Sequence, residues 1–179
     1  MADSVAAALQ ADGDHSMNFV RTCRHLSATG WSLRRAFDAQ ALAAIEETIR
    51  ATETLHGGEI RFAIENNLDF QELWHEVTPR SRAIDAFSHL RVWDTELNNG
   101  VLIYVLWADH DVEIVADRAY TTRVTQQQWS EICHQMEKRF AGERPMQAAV
   151  EGIQAVGQLI AQHFPATDRN ELPDRPVFL

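Results

Sequence analysis

The chain has 179 residues, of which 45% are hydrophobic, and its formal net charge is −10 at pH 7. This length and apolar content suit a single domain with a sizeable core, and the acidic charge argues against binding to nucleic acid or to anionic membrane surfaces. Two cysteines are too few for a disulfide framework or for a zinc site built on cysteine.

The first segment of the chain, residues 1–16, is rich in alanine and aspartate and has no hydrophobic period. We expect it to be a disordered tail, followed by one domain over residues 17–165 and an extended C-terminal tail over residues 166–179. The segment lacks the pattern of a secretion signal, and no apolar run is long enough to span a bilayer. These features predict a cytoplasmic, soluble protein, with association to a membrane through a partner left open.

A short amphipathic helix is predicted over residues 19–26, in the only locally basic part of the chain. Its apolar positions and the nearby arginines are Phe19, Val20, Cys23 and Leu26, and Arg21, Arg24, Arg34 and Arg35. Such a helix can dock on a partner or lie on a membrane surface. The alternative, that it packs against its own domain, is favoured because the segment is short.

A long helix and a strand follow along the chain. Asp38 has the position of an N-cap for the helix, and His56-Gly57-Gly58 predicts its end, with a glycine in the left-handed conformation. Residues 59–65 alternate apolar and polar side chains, which predicts a β-strand. The next helix is predicted to begin at Thr78-Pro79, with proline at its first position.

Two strands around a tight turn are the centre of the predicted fold. Val101–Ala108 has the length of a buried strand, and Val112–Ala116 forms a second strand after the turn Asp109–Asp111. The pair should be an antiparallel hairpin, whereas the strand–helix–strand connection before it should be a right-handed parallel crossover. With two later helices, one capped at Thr125 and one ending at Pro165, we predict an α/β fold, a three-layer α/β/α sandwich with a small mixed sheet.

The hairpin also predicts which polar residues lie together. The start of its first strand and the end of its second lie at one edge of the sheet, so the loop Asp94–Gly100 should lie beside Asp117 and Arg118. The side-chain oxygens expected there make a candidate metal site with the ligands Asp94, Glu96, Asn98, Asn99 and Asp117. Oxygen ligands favour Ca²⁺ or Mg²⁺ over zinc.

The spacing within this loop leaves a structural alternative open. Asp94, Glu96 and Asn98 have the spacing of the first ligands of an EF-hand. The position that needs a bidentate glutamate would be Val105, inside a strand, so the loop is not an EF-hand. Without a cation, Asp94 would cap the preceding turn and Asn99-Gly100 would shape the loop.

Two arginines near the acidic loop, Arg91 and Arg118, are candidate contacts for an anion such as a phosphate ester. The alternative is that they balance the neighbouring carboxylates as surface ion pairs. The chain contains no Gly-rich phosphate loop, no Gly-x-Ser-x-Gly motif and no His-Glu-x-x-His pair. The sequence therefore identifies no catalytic residue.

A set of residues along the chain forms a recognisable pattern: Phe87, Trp93, Asp94, Asn99-Gly100-Val101-Leu102-Ile103, Asp111-Val112-Glu113-Ile114 and Phe140-Ala141-Gly142. In this pattern the chain resembles the TPM-domain family, which includes the acid phosphatase of the thylakoid lumen and many bacterial membrane-associated proteins. The resemblance covers roughly residues 37–164 and is strongest to a bacterial branch of the family. Where the family usually has a Gly-aromatic-Gly turn after the second strand, this chain has Asp117-Arg118-Ala119-Tyr120.

The resemblance implies divalent-cation binding, as in some members, and two alternative functions. One is an interaction module without catalysis, which binds a partner protein such as a membrane-associated relative through the acidic edge or through residues 19–37. The other is a metal-dependent, phosphatase-like hydrolase with a cation at Asp94 and Asp117. We favour the module, because no nucleophile is identified and a resemblance in fold does not establish an activity.

Overall fold

The computed structural model describes residues 19–142, 144–166 and 170–179, so the disorder predicted for residues 1–16 lies outside the described residues. The helices are α1 Phe19–Ser27, α2 Gly30–Ala36, α3 Ala39–Glu53, α4 Phe70–Trp74, α5 Pro79–His89, α6 Gln126–Phe140 and α7 Pro145–Ala161. The strands are β1 Glu59–Glu65, β2 Gly100–Leu106, β3 Asp111–Ala116 and β4 Val177–Phe178. Short 3-10 turns cover Trp107–Asp109 and Arg118–Tyr120.

The strands form one mixed sheet in the order β3-β2-β1-β4. β1 pairs in parallel with β2, and Ile60 lies opposite Val101. β2 pairs with β3 in the antiparallel direction, and Val101 lies opposite Ala116. The predicted parallel crossover and the predicted hairpin are therefore both confirmed.

Helices cover both faces of the sheet, which confirms the predicted three layers. On one face, Phe62 and Ile103 pack in a core with residues of α3, α6 and α7. On the other face, Ala63 and Tyr104 pack with residues of α4 and α5. Every residue of β1 and β2 is buried, because each strand has a helical layer on either side.

Two of the predicted helix caps are present. The Asp38 carboxylate accepts a hydrogen bond from the amide of Ala41 at 2.8 Å and begins α3. Thr125 forms a capping box with Gln128 at the start of α6, and its hydroxyl accepts from the Gln128 amide at 3.3 Å. Within the described ranges, no helix combines the length and the apolar composition that crossing a membrane requires.

The left-handed glycine predicted after His56 is wrong, since no glycine among the described residues has a positive φ. Gly58 is needed because a Cβ there would lie 2.6 Å from the Tyr120 hydroxyl. Gly100 is needed because its Cβ would lie 2.0 Å from the carbonyl oxygen of Val92. Both glycines thus permit close packing around the loop that enters β2.

The C-terminal segment, residues 170–179, is fastened along the edge of β1 by buried charged side chains. The Glu59 carboxylate accepts a hydrogen bond from the amide of Leu172 at 3.0 Å. The Arg61 guanidinium donates to the carbonyl of Pro173. These contacts lead the chain into β4, so the predicted extended tail ends as an edge strand of the sheet.

Candidate functional site

The loop before β2 lies beside the turn that follows β3. The amide of Asp117 donates to the carbonyl of Gly100 at 2.9 Å, and the amide of Ala119 donates to the carbonyl of Asn98 at 3.1 Å. These bonds continue the pairing of β2 and β3 beyond the sheet. The five residues that the sequence predicts as ligands therefore come from two adjacent backbone segments.

Asn99 is the most deeply placed of the five, with 1% of its surface exposed. Its amide donates to the Thr95 hydroxyl at 3.1 Å, and its side-chain nitrogen donates to the carbonyl of Gly57. Its carbonyl accepts from the Tyr120 hydroxyl at 2.9 Å. The side-chain oxygen, Oδ1, is buried and has no hydrogen-bond partner.

Asp117 caps the 3-10 turn at the exit of β3. One carboxylate oxygen, Oδ1, accepts from the amide of Arg118 at 2.6 Å. The other, Oδ2, is buried and has no hydrogen-bond partner. Asn99 and Asp117 thus each present one buried oxygen acceptor that lacks a donor.

Asp94 and Glu96 lie farther out, on the exposed side of the loop. The Asp94 carboxylate forms an ion pair with Arg91 at 3.1 Å, in which both side chains are more than half exposed. The amide of Glu96 donates to the carboxylate of Glu171 at 2.9 Å. Glu171 therefore joins this edge from the C-terminal segment, and no local sequence signal predicts it because the two residues are far apart in the chain.

The two arginines predicted as anion contacts are both engaged with neighbours in the loop. Arg91 pairs with Asp94, and its guanidinium also lies 5.8 Å from the ring centre of Trp93. Arg118 donates to the side-chain oxygen of Asn98 at 2.5 Å. An incoming anion would have to compete with these contacts, and a cation that uses Asn98 would have to displace Arg118.

The predicted ligands do not form a complete metal cage. Among the residues that the structure describes, no three His, Cys, Asp or Glu side chains are placed together as a group that could hold a metal ion. Because Asp94 and Glu96 are exposed while the free oxygens of Asn99 and Asp117 are buried, a cation would have to draw the outer carboxylates inward.

A second group of carboxylates lies beneath this edge, where α3 meets β1 and the C-terminal segment. Glu53 accepts from the amide of Ile60 at 2.8 Å. Burial, together with the nearby charges of Glu59 and Asp174, raises the pKa of Glu53 to about 8. Glu53 is therefore mostly protonated at neutral pH. The sequence does not predict this protonated state, because a glutamate near a helix end is usually exposed.

The opposite edge of the sheet carries the other acidic group, as the hairpin predicts. Burial raises the pKa of Asp111 to about 6, and the charges of Glu113 and Glu137 add to the effect. Asp109 pairs with Arg21 at 2.9 Å and therefore belongs to the contact with α1. One carboxylate oxygen of Asp111, Oδ1, is also buried without a hydrogen-bond donor from the protein, so such oxygens occur at both ends of the hairpin.

A family model described as the TPM domain matches residues 34–159. The chain belongs to the TPM-domain family. It is also similar to the BA42 protein from the psychrophilic bacterium Bizionia argentinensis, whose structure was determined by NMR. The two are 30% identical, the match covers 79% of this chain and 94% of that chain, and the TM-score is 0.69. No curated protein matches the chain.

The match to the TPM domain contains both the hairpin and the candidate site. It begins within α2 and ends within α7, so α1 and the C-terminal segment lie outside it. Membership of the family accounts for the fold, whereas the activity has to be argued from the site.

Proposed function

We propose that this TPM domain is a binding module that holds a divalent cation at the edge between β2 and β3. The observation that carries the proposal is that two buried oxygens without a donor from the protein, Oδ1 of Asn99 and Oδ2 of Asp117, belong to segments joined by backbone hydrogen bonds, next to the carboxylates of Asp94 and Glu96 in the chain. A buried acceptor without a partner costs about 1–3 kcal/mol. A cation between the two segments would supply partners to oxygens that the fold leaves unsatisfied.

The oxygen-only character of the site favours Ca²⁺ or Mg²⁺. Asn99 and Asp117 would be the inner ligands. Asp94 and Glu96 would move in from the surface, with Asp94 leaving Arg91. Because these outer ligands must rearrange, we expect a dissociation constant in the range of about 10⁻⁴ to 10⁻³ M.

Among the described residues, the buried Cys133, Tyr104 and Tyr120 are not activated as nucleophiles, which favours a binding role over hydrolysis. Burial raises the pKa of Cys133 to about 12, so its thiol does not ionise at neutral pH. Burial also raises the pKa of Tyr104 and of Tyr120, so both hydroxyls stay protonated. The arginines that could hold a phosphate, Arg91 and Arg118, already have partners.

The test is a titration of the full chain with CaCl₂ and with MgCl₂, followed at the backbone amides by NMR. The proposal predicts saturable shifts confined to residues 94–101 and 117–120. Asp117→Asn should weaken binding at least 10-fold, because asparagine keeps the cap oxygen and loses the charge. Asp111→Asn is the matched control at the far end of the same strand, and it should leave the affinity unchanged.

Three results would contradict the cation site. These are the absence of saturable shifts at millimolar cation, shifts centred on residues 109–111, and equal effects of the two asparagine variants. The hydrolase alternative is tested separately by phosphate release from an aryl phosphate with and without cation. Cation-dependent turnover that Asp94→Ala abolishes would show that binding is not the sole function.

A further inference from the structure

The helix α1 is packed against its domain by its polar face. Thr22 and His25 are buried, with 6% and 1% of their surfaces exposed. Phe19, Val20 and Leu26 are 74%, 68% and 71% exposed. An amphipathic helix on a globular domain normally buries its apolar face, so α1 presents to the outside the face that should be covered.

Asp109 is the reason for this orientation. Its carboxylate, whose side chain is 9% exposed, lies 2.9 Å from Arg21, 3.1 Å from Arg24 and 3.1 Å from His25. The other ring nitrogen of His25 accepts a hydrogen bond from the amide of Leu68 at 2.9 Å. The polar face of α1 is therefore fixed to the end of the hairpin, and its apolar face is held outward.

The outward face has the spacing of a helix that docks in a groove. Phe19, Cys23 and Leu26 stand at positions i, i+4 and i+7 and lie on one side of α1. In α2, Trp31 continues the apolar surface and is 69% exposed. We call α1 and α2 together, residues 19–36, the arm.

The arm also differs in charge from the rest of the molecule. It contains four arginines and no acidic residue, whereas the whole chain has a net charge of −10, so the rest of the chain carries −14. Arg21 and Arg24 are used by Asp109, which leaves Arg34 and Arg35 exposed at the end of the arm. An acidic surface is the natural complement of this arm.

A groove lies between α3 and α7, in the part of the chain outside the arm, and its one acidic lining residue, Glu47, pairs with Arg50 at 3.1 Å. It has a volume of about 550 Å³. Its lining is mostly small or polar and consists of Glu47, Thr48, Ala51, Thr52, Leu55, Gln154, Gly157, Gln158 and Ala161. On the α3 side it runs from Glu47 in α3 to Leu55 just beyond the end of that helix, a span of nine residues, the same number as in α1. A helix of that length is about 13 Å long, so α1 matches the groove in length.

We propose that the arm of one molecule docks in the α3–α7 groove of a second copy of this chain. The outward apolar face of α1 would lie along the groove, and Arg34 and Arg35 would face the acidic body. An arm that is held by Asp109 cannot reach the groove of its own molecule. Asp109 follows the carboxyl end of β2, whereas the groove extends to Leu55, which precedes the amino end of β1. Because β1 and β2 are parallel, these two places lie at opposite ends of the sheet. The contact is head-to-tail, so it closes a ring or extends into a chain. This proposal goes beyond the cation site and does not depend on it.

The first test is sedimentation velocity of the full chain from micromolar to millimolar concentration. The proposal predicts concentration-dependent association. Leu26→Glu on the arm and Ala51→Glu in the groove should each weaken it at least 10-fold. Leu97→Glu is the matched control, because Leu97 is also exposed, at 45%, and lies on neither surface.

The decisive test mixes the two defective variants. Leu26→Glu keeps an intact groove and Ala51→Glu keeps an intact arm, so together they retain one complete contact. A 1:1 complex should form, and ¹⁵N-labelled Leu26→Glu should show amide shifts along α3 and α7 when unlabelled Ala51→Glu is added.

Several outcomes would overturn the proposal. The chain could remain monomeric at millimolar concentration, the mixture could fail to form a complex, or Leu97→Glu could weaken association as much as the arm variant. A monomer that sediments with phosphatidylcholine–phosphatidylglycerol vesicles only when Leu26 is intact would assign the arm to a membrane surface instead. If the Leu26→Glu variant still associates through the α3–α7 groove, an element other than the arm occupies the groove.

Discussion

The hydroxyl of Tyr120 donates a hydrogen bond of 2.9 Å to the main-chain carbonyl of Asn99. This bond joins the turn after β3 to the residue that leads into β2. Tyr120 is 1% exposed, and its ring lies 4.9 Å from that of Phe164, centre to centre. The edge that carries the candidate site is therefore anchored to the core from beneath.

Tyr120→Phe tests how much this anchor contributes. The variant keeps the ring and removes the donor, so the Asn99 carbonyl retains only the bond from the Glu59 amide at 3.3 Å. We expect the free energy of unfolding, measured by urea titration, to fall by about 1–2 kcal/mol. An unchanged urea midpoint would mean that the hydroxyl bond contributes nothing to the fold.

Glu53 should make the stability depend on pH. Its pKa is about 8 in the folded chain, above its ordinary value of 4.5, so the folded state holds a proton that the unfolded state releases between these values. This contribution is complete below pH 4.5 and is lost as the pH rises through 8. Glu53→Gln should remove the effect and be more stable than the native chain at pH 8, by up to about 4 kcal/mol.

The measurement for Glu53 is the free energy of unfolding between pH 5 and 9. Glu47→Gln is the matched control on the same helix, since the Glu47 side chain is 72% exposed. The control should follow the pH dependence of the native chain. If Glu53→Gln also follows it, the burial of Glu53 does not set the pH dependence.

Much of the fold could be predicted because its signals are local. The apolar run beginning at Val101, the turn at Asp109–Asp111 and the caps at Asp38 and Thr125 each depend on a few adjacent residues. The hairpin that follows from them also predicts that Asp117 lies beside the loop that enters β2. The antiparallel direction of the two strands was sufficient to predict the position of Asp117, and the orientation of its side chain was not needed.

The orientation of side chains could not be predicted, because distant partners decide it. α1 turns its polar face inward because Asp109, far along the chain, pairs with Arg21 and Arg24. Asn99 turns inward because its side-chain nitrogen donates to the carbonyl of Gly57, 42 residues earlier in the chain. β4 was missed because its two residues are too short for a hydrophobic pattern.

Thr125→Ala tests the confirmed capping box. The variant removes the hydroxyl that accepts from the Gln128 amide at 3.3 Å and leaves the first turn of α6 without that cap. We expect a loss of about 1 kcal/mol in the free energy of unfolding. Thr125→Ser, which keeps the hydroxyl, should retain most of the stability, and an equal loss in both variants would point to packing of the methyl group instead.

Asp109→Ala tests what holds α1 in place. Without the carboxylate, Arg21 and Arg24 lose their shared partner, so α1 should open more often while the sheet stays closed. Hydrogen exchange of the α1 amides should become at least about 10-fold faster, and that of the β2 amides should not change. Asp94→Ala, which breaks the exposed pair with Arg91, should alter neither, and unchanged exchange in α1 after Asp109→Ala would show that other contacts hold it.

The most direct test of the proposed cation site observes the two buried oxygens themselves. The measurement is the ¹³C chemical shift of the Asp117 carboxylate and of the Asn99 side-chain carboxamide during a calcium titration. We predict that both signals move, follow one saturation curve and leave the Asp111 carboxylate unchanged. A contradicting result is that neither signal has moved when calcium reaches about 10 mM, which is well above the highest dissociation constant expected. Asn99 and Asp117 would then have purely structural roles, and the proposed function would be wrong.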